Sequence, residues 1–272
     1  MSHNAARPVF AILSALVEER MGLHYSPDEQ DLFLDRVNTR AQEAGFDSLL
    51  DYYYFLRYDA AGSAEFSELG SHLVVGETFF FREIEPLRLL VRRFIQPRVQ
   101  AGRRPRVWSA ACATGEEPLT LAMLLDEAGL LSQVDLIASD VSERSLGKAR
   151  AGRFSRRSLR QYTDAALAAR WLREEGDRLA VSSDLIRAID WRRINLCSPD
   201  EVGAVGACDV ILCRNVLIYF RQETVARVIE TLAKNMKTDG ALFVGVSESL
   251  LQFGTALSCE EADHVFFYRK PT

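Results

Sequence analysis

The first 75 residues carry hydrophobic positions at the spacing of α-helices. Apolar residues recur every three or four positions in separate stretches, which end at glycines or polar turns. Residues 26–29 have the form of a capping box with a proline at the first helical position, and Asp47 or Ser48 can cap the next helix. No alternation of β-branched residues interrupts this pattern, so it predicts a small all-helical domain over residues 1–75. The helical stretches are 8–22, 26–45, 48–62 and 65–73.

From residue 106 onward the pattern changes to apolar strands separated by amphipathic helices. This alternation is typical of a doubly wound α/β domain, whose ligand lies at the carboxyl ends of the strands. Residues 76–105 are predicted to form a linker and a connecting helix, and 106–272 to form the α/β domain. The predicted strands are 106–111, 134–139, 190–196, 209–213, 241–246 and 264–269, and the predicted helices are 118–125, 142–149 and 224–236.

Composition and charge narrow the class of protein. The chain has 272 residues, of which 48% are hydrophobic and 26% charged, so it has enough apolar surface for a folded core. Its net charge of -5 argues against general nucleic-acid binding. The cysteines form no CxxC pair and the histidines no metal-binding spacing, so no metal site is expected. Without a secretory signal, a long apolar run or a heptad pattern, we expect a cytoplasmic monomer.

The first strand-to-helix turn of the α/β domain has unusual chemistry for a nucleotide site. Residues 111–118 read Ala-Cys-Ala-Thr-Gly-Glu-Glu-Pro, with one glycine and two carboxylates. A pyrophosphate site would need GxGxxG, and these acids would repel phosphate. They suit a ligand with positive groups, such as the ammonium and sulfonium of S-adenosylmethionine. An alternative of equal weight is that both glutamates only favour the N-terminus of a helix through its dipole.

Polar residues also close the next apolar strands. Asp140 ends the second strand, where it can accept hydrogen bonds from the hydroxyls of a ribose. The alternative is a helix cap, although Ser142 offers a better one. Asn195–Leu196 and Arg214–Val216 end two further strands. An asparagine there can donate to and accept from an adenine or an amino acid group, although asparagine often ends a strand without any such role.

The segment Thr78–Arg82 holds three consecutive phenylalanines between a hydroxyl and a guanidinium. The phenylalanines fit an ordinary core segment that joins two domains. Arg82 differs, because a charged group next to such an apolar run should have a carboxylate partner.

Five segments, taken together, resemble the CheR-type methyltransferases of bacteria, which methylate glutamates of chemotaxis receptors. The match runs in order over essentially the whole chain. It implies a class I S-adenosylmethionine-dependent methyltransferase domain with a doubly wound sheet, preceded by a small all-helical N-terminal domain. It also implies an inserted antiparallel β-subdomain at about 168–192, where the strand–helix rhythm breaks. The segments are GETFFFRE (76–83), VWSAACATGEEP (107–118), ASD (138–140), CRNVLIYF (213–220) and GVSESL (245–250).

The resemblance also implies the chemistry. The expected activity is S-adenosylmethionine-dependent O-methylation of glutamate side chains, with S-adenosylhomocysteine as the product. Tyr219 is expected to face the transferred methyl group, and Arg82 to be the second catalytic residue. Gly76 departs from the asparagine that the family often has, so that contact to the cofactor is lost or made by the backbone. The expected cofactor-binding residues are Thr78, Arg82, Glu116, Asp140, Asn195, Leu196, Asn215 and Val216.

The expected partner is the cytoplasmic domain of a methyl-accepting receptor, with neither nucleic acid nor membrane insertion. A cluster of arginines can steer an acidic receptor, or can simply form a solvated helix face, with even weight. Two other functions are a regulatory or scaffold protein that binds S-adenosylmethionine without catalysis, and a methyltransferase for a small carboxylic acid. Tyr219 and the intact turn and strand-end motifs argue against the regulatory protein, whereas an enclosed pocket would mark the enzyme for a small acid. The clustered arginines are Arg150, Arg153, Arg156, Arg157 and Arg160.

Overall fold

The computed structural model describes residues 3–160 and 165–271, and its N-terminal part is helical, as the hydrophobic period predicts. Pro8 lies inside the first helix, which begins at His3. A proline this close to the start of a helix is tolerated, because it removes only one backbone hydrogen bond. The capping-box residues Pro27–Glu29 form a 3₁₀ turn before the second helix. Ser48 caps the third helix by accepting a hydrogen bond from the Asp51 amide at 3.3 Å. The helices are α1 (His3–Met21), α2 (Gln30–Glu43), α3 (Leu49–Tyr58) and α4 (Gly62–Leu73).

The helical domain packs around its own apolar core, in which Phe33 and Leu69 are fully buried. The carboxylate of Glu65 joins three of its helices. It accepts a hydrogen bond from the Tyr52 hydroxyl at 2.7 Å and two from the Arg40 guanidinium at 2.7 and 2.6 Å. Burial alone would raise the pKa of Glu65, but these bonds outweigh it and hold the pKa below its ordinary value.

A helix of changing pitch joins the two domains. It begins as α5 (Ile84–Leu89), passes through a π-helical segment at Leu90–Ile95 and ends as α6 (Gln96–Gln100). Phe94 in the π-helical segment meets the ring of Phe243 edge to face, with 5.8 Å between ring centroids. The connector therefore packs against the sheet of the second domain.

The rest of the described chain alternates strands with helices, and a strand or helix lies at each predicted position. One strand begins at Met236, five residues earlier than predicted. The helices are α7 (Glu116–Glu127), α8 (Glu143–Ala151), α9 (Ala165–Trp171), α10 (Ser183–Arg187), α11 (Pro199–Gly203) and α12 (Gln222–Lys234). The strands are β1 (Arg106–Ala110), β2 (Asp135–Asp140), β3 (Arg153–Ser155), β4 (Leu172–Glu175), β5 (Arg178–Val181), β6 (Ile189–Arg193), β7 (Cys208–Cys213), β8 (Met236–Phe243), β9 (Ser258–Ala262) and β10 (Val265–Arg269).

The central sheet of the described chain has the strand order β6-β2-β1-β7-β8-β10-β9. The first five of these strands are parallel, and β10 and β9 are antiparallel to their neighbours. Alternate residues of β1 enter different cores, Val107 on one face of the sheet and Trp108 on the other. The order reverses between β1 and β7, so a crevice opens at their carboxyl ends. The predicted doubly wound class I methyltransferase fold is confirmed.

The edge strand β9 has no counterpart among the predicted strands. Its sequence, Ser-Cys-Glu-Glu-Ala, has no alternation of apolar and polar residues because both of its faces are partly exposed. It is held by antiparallel pairing with β10, from Ser258 opposite Arg269 to Ala262 opposite Val265. Long-range pairing of this kind is not visible in a local pattern.

A second, antiparallel sheet of the described residues has the order β3-β5-β4. The segment 168–192, where the inserted subdomain is expected, supplies β4 and β5. The third strand, β3, comes from just after α8, and it is too short to show an alternating pattern. The strand β6, which overlaps the end of the expected segment, pairs with β2 in the central sheet.

The helical domain is fastened against the carboxyl ends of the central strands. The side-chain amide of Asn195, just after β6, donates a hydrogen bond to the Arg20 carbonyl in α1 at 2.6 Å. The His24 amide donates to the Tyr219 carbonyl at 2.9 Å. The segment that follows α1 therefore closes one side of the crevice. Among residues 3–160 and 165–271, no helix has the length and apolar character needed to cross a membrane.

The variant Glu65→Ala should lower the free energy of unfolding by about 2–3 kcal/mol, because the Tyr52 hydroxyl and the Arg40 guanidinium both lose their acceptor. Chemical denaturation followed by circular dichroism would measure the loss. The matched control is Glu19→Ala, which removes an exposed ion pair with Arg57 and should change the stability far less. Equal losses in the two variants would contradict this role of Glu65.

Candidate active site

A cavity open to solvent, with a volume of about 1250 Å³ including the solvent at its mouth, lies where the carboxyl ends of the central strands face the helical domain. The loops after β1, β2, β6 and β7 form one side of it, and the loop after α1 and the end of α4 form the other. Tyr219 and every expected cofactor-binding residue except Glu116 line this cavity. Segments that are almost 200 residues apart in sequence are thus brought together. The expected cofactor-binding residues in the cavity wall are Thr78, Arg82, Asp140, Asn195, Leu196, Asn215 and Val216.

The turn after β1 has a strained backbone. Ala111 and Ala113 have φ angles of 56° and 49°, in the left-handed region that residues other than glycine rarely adopt. The Ala113 amide is fixed by a 2.9 Å hydrogen bond to the Asp140 carboxylate. Gly115 completes the turn with a φ of 93°, and a Cβ there would lie 2.7 Å from the Cβ of Ala149. Strain that is held in a cavity wall in this way is typical of a binding site.

Asp140 is buried at the end of β2 and binds backbone amides with both carboxylate oxygens. Besides the Ala113 amide, it accepts a hydrogen bond from the Ser142 amide at 2.9 Å. Burial raises the pKa of Asp140 above its ordinary value of 3.8, although the bonds from the backbone amides oppose the rise. Each carboxylate oxygen can accept more than one hydrogen bond. Asp140 can therefore hold the two turns and still accept bonds from ligand hydroxyls.

The two glutamates at the start of α7 have different surroundings. Glu116 is buried outside the cavity wall, where it accepts hydrogen bonds from Thr114 Oγ1 at 2.6 Å and Ser158 Oγ at 3.0 Å. Glu117 lines the cavity and accepts a bond from Ser109 Oγ at 2.7 Å. Successive residues of a helix point about 100° apart, so the two side chains have different surroundings. The acid that faces the cavity is the residue after the expected one.

Arg214 forms the centre of a buried ion network that the sequence analysis did not assign. Its guanidinium lies 2.8 Å from the Glu83 carboxylate and 2.8 Å from the Glu117 carboxylate. It also donates to the main-chain carbonyls of Arg82 and Glu83 at 3.1 and 3.2 Å. Burial alone would raise the pKa of Glu83, but Arg214 outweighs it and lowers the pKa below its ordinary value. The sequence signal for this network was the position of Arg214, a cation that directly follows the apolar strand β7.

Glu248, in the segment GVSESL (245–250), is a second residue whose role the sequence did not predict. One of its oxygens accepts hydrogen bonds from the Asn215 and Gly245 amides, both at 2.7 Å. The other oxygen accepts from the Leu217 amide at 2.8 Å. Asn215 itself has a φ of 59°, so its backbone needs such support. Glu248 thereby holds the loop after β7 against the loop after β8.

Asn195 both lines the cavity and joins the domains. In addition to the bond from its side chain to Arg20, its Oδ1 accepts a hydrogen bond from the Cys197 amide at 3.0 Å. The side-chain amide has two hydrogens, so one remains for a ligand. The neighbouring Leu196 is buried and provides an apolar part of the wall.

Arg82 and Tyr219 lie close together in the cavity wall. Arg82 donates to the Glu77 carbonyl at 3.1 Å, and no carboxylate of the described chain lies within 4 Å of its guanidinium. The carboxylate partner that the sequence predicts for Arg82 is therefore not found among residues 3–160 and 165–271. Burial raises the pKa of Tyr219 and the negative charge of Glu77 adds to the rise, while Arg82 opposes it. The Tyr219 hydroxyl stays protonated at neutral pH and can donate a hydrogen bond.

The helical domain supplies cavity residues that no sequence motif predicted. His24 and Tyr25 follow α1, Arg36 belongs to α2, and Val75 follows α4. The Tyr25 hydroxyl donates to the Leu73 carbonyl at 2.9 Å, and the Arg36 guanidinium donates to the same carbonyl at 2.9 Å. These residues belong to ordinary amphipathic helices or directly follow them, so no local pattern in the sequence predicts their place in the site.

Most of the clustered arginines near residue 155 have local partners. Four of the five lie within 4 Å of a carboxylate of this chain, so much of their charge is compensated on the surface. This pairing favours the solvated-face interpretation over long-range steering. The pairs are Arg150 with Glu143, Arg153 with Glu175, Arg156 with Glu174 and Arg160 with Glu77.

Two family models match the chain. The S-adenosylmethionine-binding domain of the CheR methyltransferases matches residues 76–266, and their all-alpha domain matches residues 8–74. Together these two models span both structural domains and the connector between them.

Similar proteins carry chemotaxis names. The chain is 32% identical over 260 residues to the chemotaxis protein methyltransferase 2 of Vibrio cholerae, covering 93% of this chain and 88% of that protein. It is 30% identical to the chemotaxis protein methyltransferase 1 of Pseudomonas aeruginosa, covering 91% and 92%. It is 32% identical to the chemotaxis protein methyltransferase of Escherichia coli, covering 88% and 84%.

The cavity fits the cofactor that this family binds. Asp140 offers acceptors for hydroxyls at the end of the second sheet strand, which is the position of a ribose in this class of fold. Arg82 offers a guanidinium to a carboxylate, and Glu117 a negative charge to positive groups. Leu196 and Val216 add apolar wall beside the two asparagines.

The variant Asp140→Ala should weaken the binding of S-adenosylhomocysteine at least about tenfold, because the ligand hydroxyls lose their acceptor and the turn at Ala113 loses its anchor. Isothermal titration calorimetry would measure the dissociation constant. Asp135→Ala is the matched control, since Asp135 lies at the opposite end of the same strand and pairs with Arg104. Unchanged affinity of Asp140→Ala would sink the assignment of Asp140 to the cofactor.

Proposed function

The chain belongs to the CheR methyltransferase family, and from this premise we propose that it transfers the methyl group of S-adenosylmethionine to glutamate side chains of a chemotaxis receptor. The names of the similar proteins support a receptor as the acceptor. The observation that carries the proposal is that Arg82 and Tyr219 line one cavity, in which no carboxylate of the described chain lies within 4 Å of the Arg82 guanidinium. The Arg82 guanidinium and the Tyr219 hydroxyl can therefore bind a carboxylate group.

Bound S-adenosylmethionine supplies an electrophilic methyl group on a positively charged sulfur. Asp140 would accept hydrogen bonds from the hydroxyls of its ribose, and Arg82 would pair with its carboxylate. Glu117, which faces the cavity, would attract its positive groups in place of Glu116. Asn195 and Asn215 would donate to and accept from the remaining polar groups.

The acceptor glutamate needs no general base. A free glutamate side chain has a pKa of about 4.3, so it is already an ionised nucleophile at neutral pH. His24 lines the cavity, and its Nδ1 contacts two residues, lying 3.0 Å from Arg221 Nε and 3.3 Å from the Glu18 carboxylate. The task that remains for the chain is to orient the carboxylate and to exclude water.

Tyr219 is the residue that orients the acceptor. Its hydroxyl is a protonated donor, and no described side chain or main-chain group accepts from it. A neutral donor can fix the position of a carboxylate without greatly lowering its nucleophilicity. A guanidinium in close contact would stabilise the carboxylate too strongly, so Arg82 is assigned mainly to the cofactor.

Incubation with methyl-labelled S-adenosylmethionine and the cytoplasmic fragment of a chemotaxis receptor tests the reaction. We expect label on the fragment that mild base releases as methanol, because a methyl ester of glutamate hydrolyses in base and a methylated amine does not. Substitution of the modified glutamates by alanine should abolish the label. A protein that binds S-adenosylhomocysteine but transfers no label would be a regulatory or scaffold protein.

The variant Tyr219→Phe should lower kcat about tenfold and leave the affinity for S-adenosylhomocysteine unchanged, because it removes one hydrogen bond to the acceptor. Steady-state kinetics and calorimetry would separate the two effects. Tyr58→Phe is the matched control, because it removes a tyrosine hydroxyl at an exposed position of α3 and should change neither kcat nor the affinity. If affinity fell and kcat did not, Tyr219 would belong to the cofactor site.

A further inference from the structure

Two loops beside the site are held together by one carboxylate. The loop after β7 carries the Leu217 amide, and the loop after β8 carries the Gly245 amide. Both amides donate to Glu248, at 2.8 and 2.7 Å. The Val246 amide also donates to Glu83 at 3.3 Å, which connects the second loop to the Arg214 network. The backbone of both loops is therefore fixed, and the position of their side chains is set by the same buried groups.

Each of these fixed loops turns an aliphatic side chain out into solvent. Ile218, between Leu217 and Tyr219, is 59% exposed, and Val246 is 78% exposed. Nine large hydrophobic side chains are exposed in the described part of the chain, and five of them lie either in the cavity wall or on these loops. Single exposed aliphatic residues are ordinary, whereas apolar residues gathered at the edge of a site mark a contact surface. Those five are Leu32, Val75, Ile218, Val246 and Leu251.

Few ionisable residues flank these two side chains in the sequence, and those that do are buried or paired. From Gly245 to Leu257 the sequence has one ionisable residue, Glu248, and it is buried. In the loop after β7, the guanidinium of Arg214 is buried and that of Arg221 pairs with Glu18 at 2.9 Å. A partner that binds here is recognised by apolar contact and not by charge.

We propose that Ile218 and Val246 form a docking lip for the acceptor protein, contacting an apolar stretch of its surface next to the modified glutamate. The proposal rests on the proposed function, since it names the part of the acceptor that this side of the site recognises. The acceptor protein is the expected partner because both residues are next to the cavity wall. Ile218 precedes Tyr219, and Val246 belongs to the loop that Glu248 holds against Asn215.

The test is a kinetic comparison of Ile218→Ser, Val246→Ser and the double variant, with the receptor fragment as the acceptor. Each single substitution should raise KM for the fragment about tenfold, because apolar area of the complex is lost. kcat at saturating fragment and the dissociation constant of S-adenosylhomocysteine should stay unchanged. Phe266→Ser is the matched control, since Phe266 on β10 is also 59% exposed, and its KM should match that of the wild type.

The outcomes separate the two proposals. Wild-type protein that transfers no base-labile methyl group to the fragment contradicts the proposed function, whatever the lip variants do. Wild-type transfer with an unchanged KM in both lip variants overturns the lip alone. A loss of kcat or of S-adenosylhomocysteine affinity instead of a rise in KM would show that the two side chains support the loops. A dimer in sedimentation experiments that the substitutions dissociate would make the lip a contact between copies of this chain, which also overturns the proposal.

Discussion

The geometry of the site depends on the ion pairs of one buried group, the guanidinium of Arg214. It pairs at 2.8 Å both with Glu117 at the start of α7 and with Glu83 at the start of the connector, and it holds the carbonyl of Arg82. The turn after β1, the segment before α5 and the end of β7 are therefore fixed to one group. A buried ion pair is weak evidence for stability, because desolvation offsets much of the attraction. Its effect here is geometric, since removal of Arg214 would leave Glu83 and Glu117 uncompensated and release the three segments from one another.

The acids of the site act first on the protein's own backbone. Asp140 holds amides of the turns after β1 and β2, and Glu248 holds three amides of the loops after β7 and β8. Several of these turns contain non-glycine residues with positive φ, among them Ala111, Ala113 and Asn215. Strained backbone of this kind persists only where fixed acceptors hold it. The carboxylates thus allow alanine and asparagine where glycine would be easier, and they keep the cavity wall rigid before any ligand arrives.

The sequence predicted most of the fold because its periodicity was strong. Helices with capping residues, such as Ser48, and apolar strands that end in polar residues lie where the pattern placed them. Strand-end residues of a parallel sheet converge by topology, so the place of Asp140 in the cavity followed from the pattern. The pattern could not decide which of Glu116 and Glu117 faces the cavity, because that depends on the rotation of one helix. The polar edge strand β9 and the cavity residues from the helical domain depend on tertiary contacts, which leave no local signal.

Tyr219 is positioned by both domains, and this limits how an acceptor can enter. Its carbonyl accepts the His24 amide at 2.9 Å, and the next residue, Phe220, forms a β-bridge with Leu23. Arg221 adds an ion pair to Glu18 in α1 at 2.9 Å. A protein that entered by separating the helical domain from the sheet would break these contacts and displace Tyr219 at the moment when its hydroxyl is needed. An approach from the side of the loop after β8 leaves the seam intact, because the two carboxylates that hold that loop, Glu248 and Glu83, lie outside the helical domain.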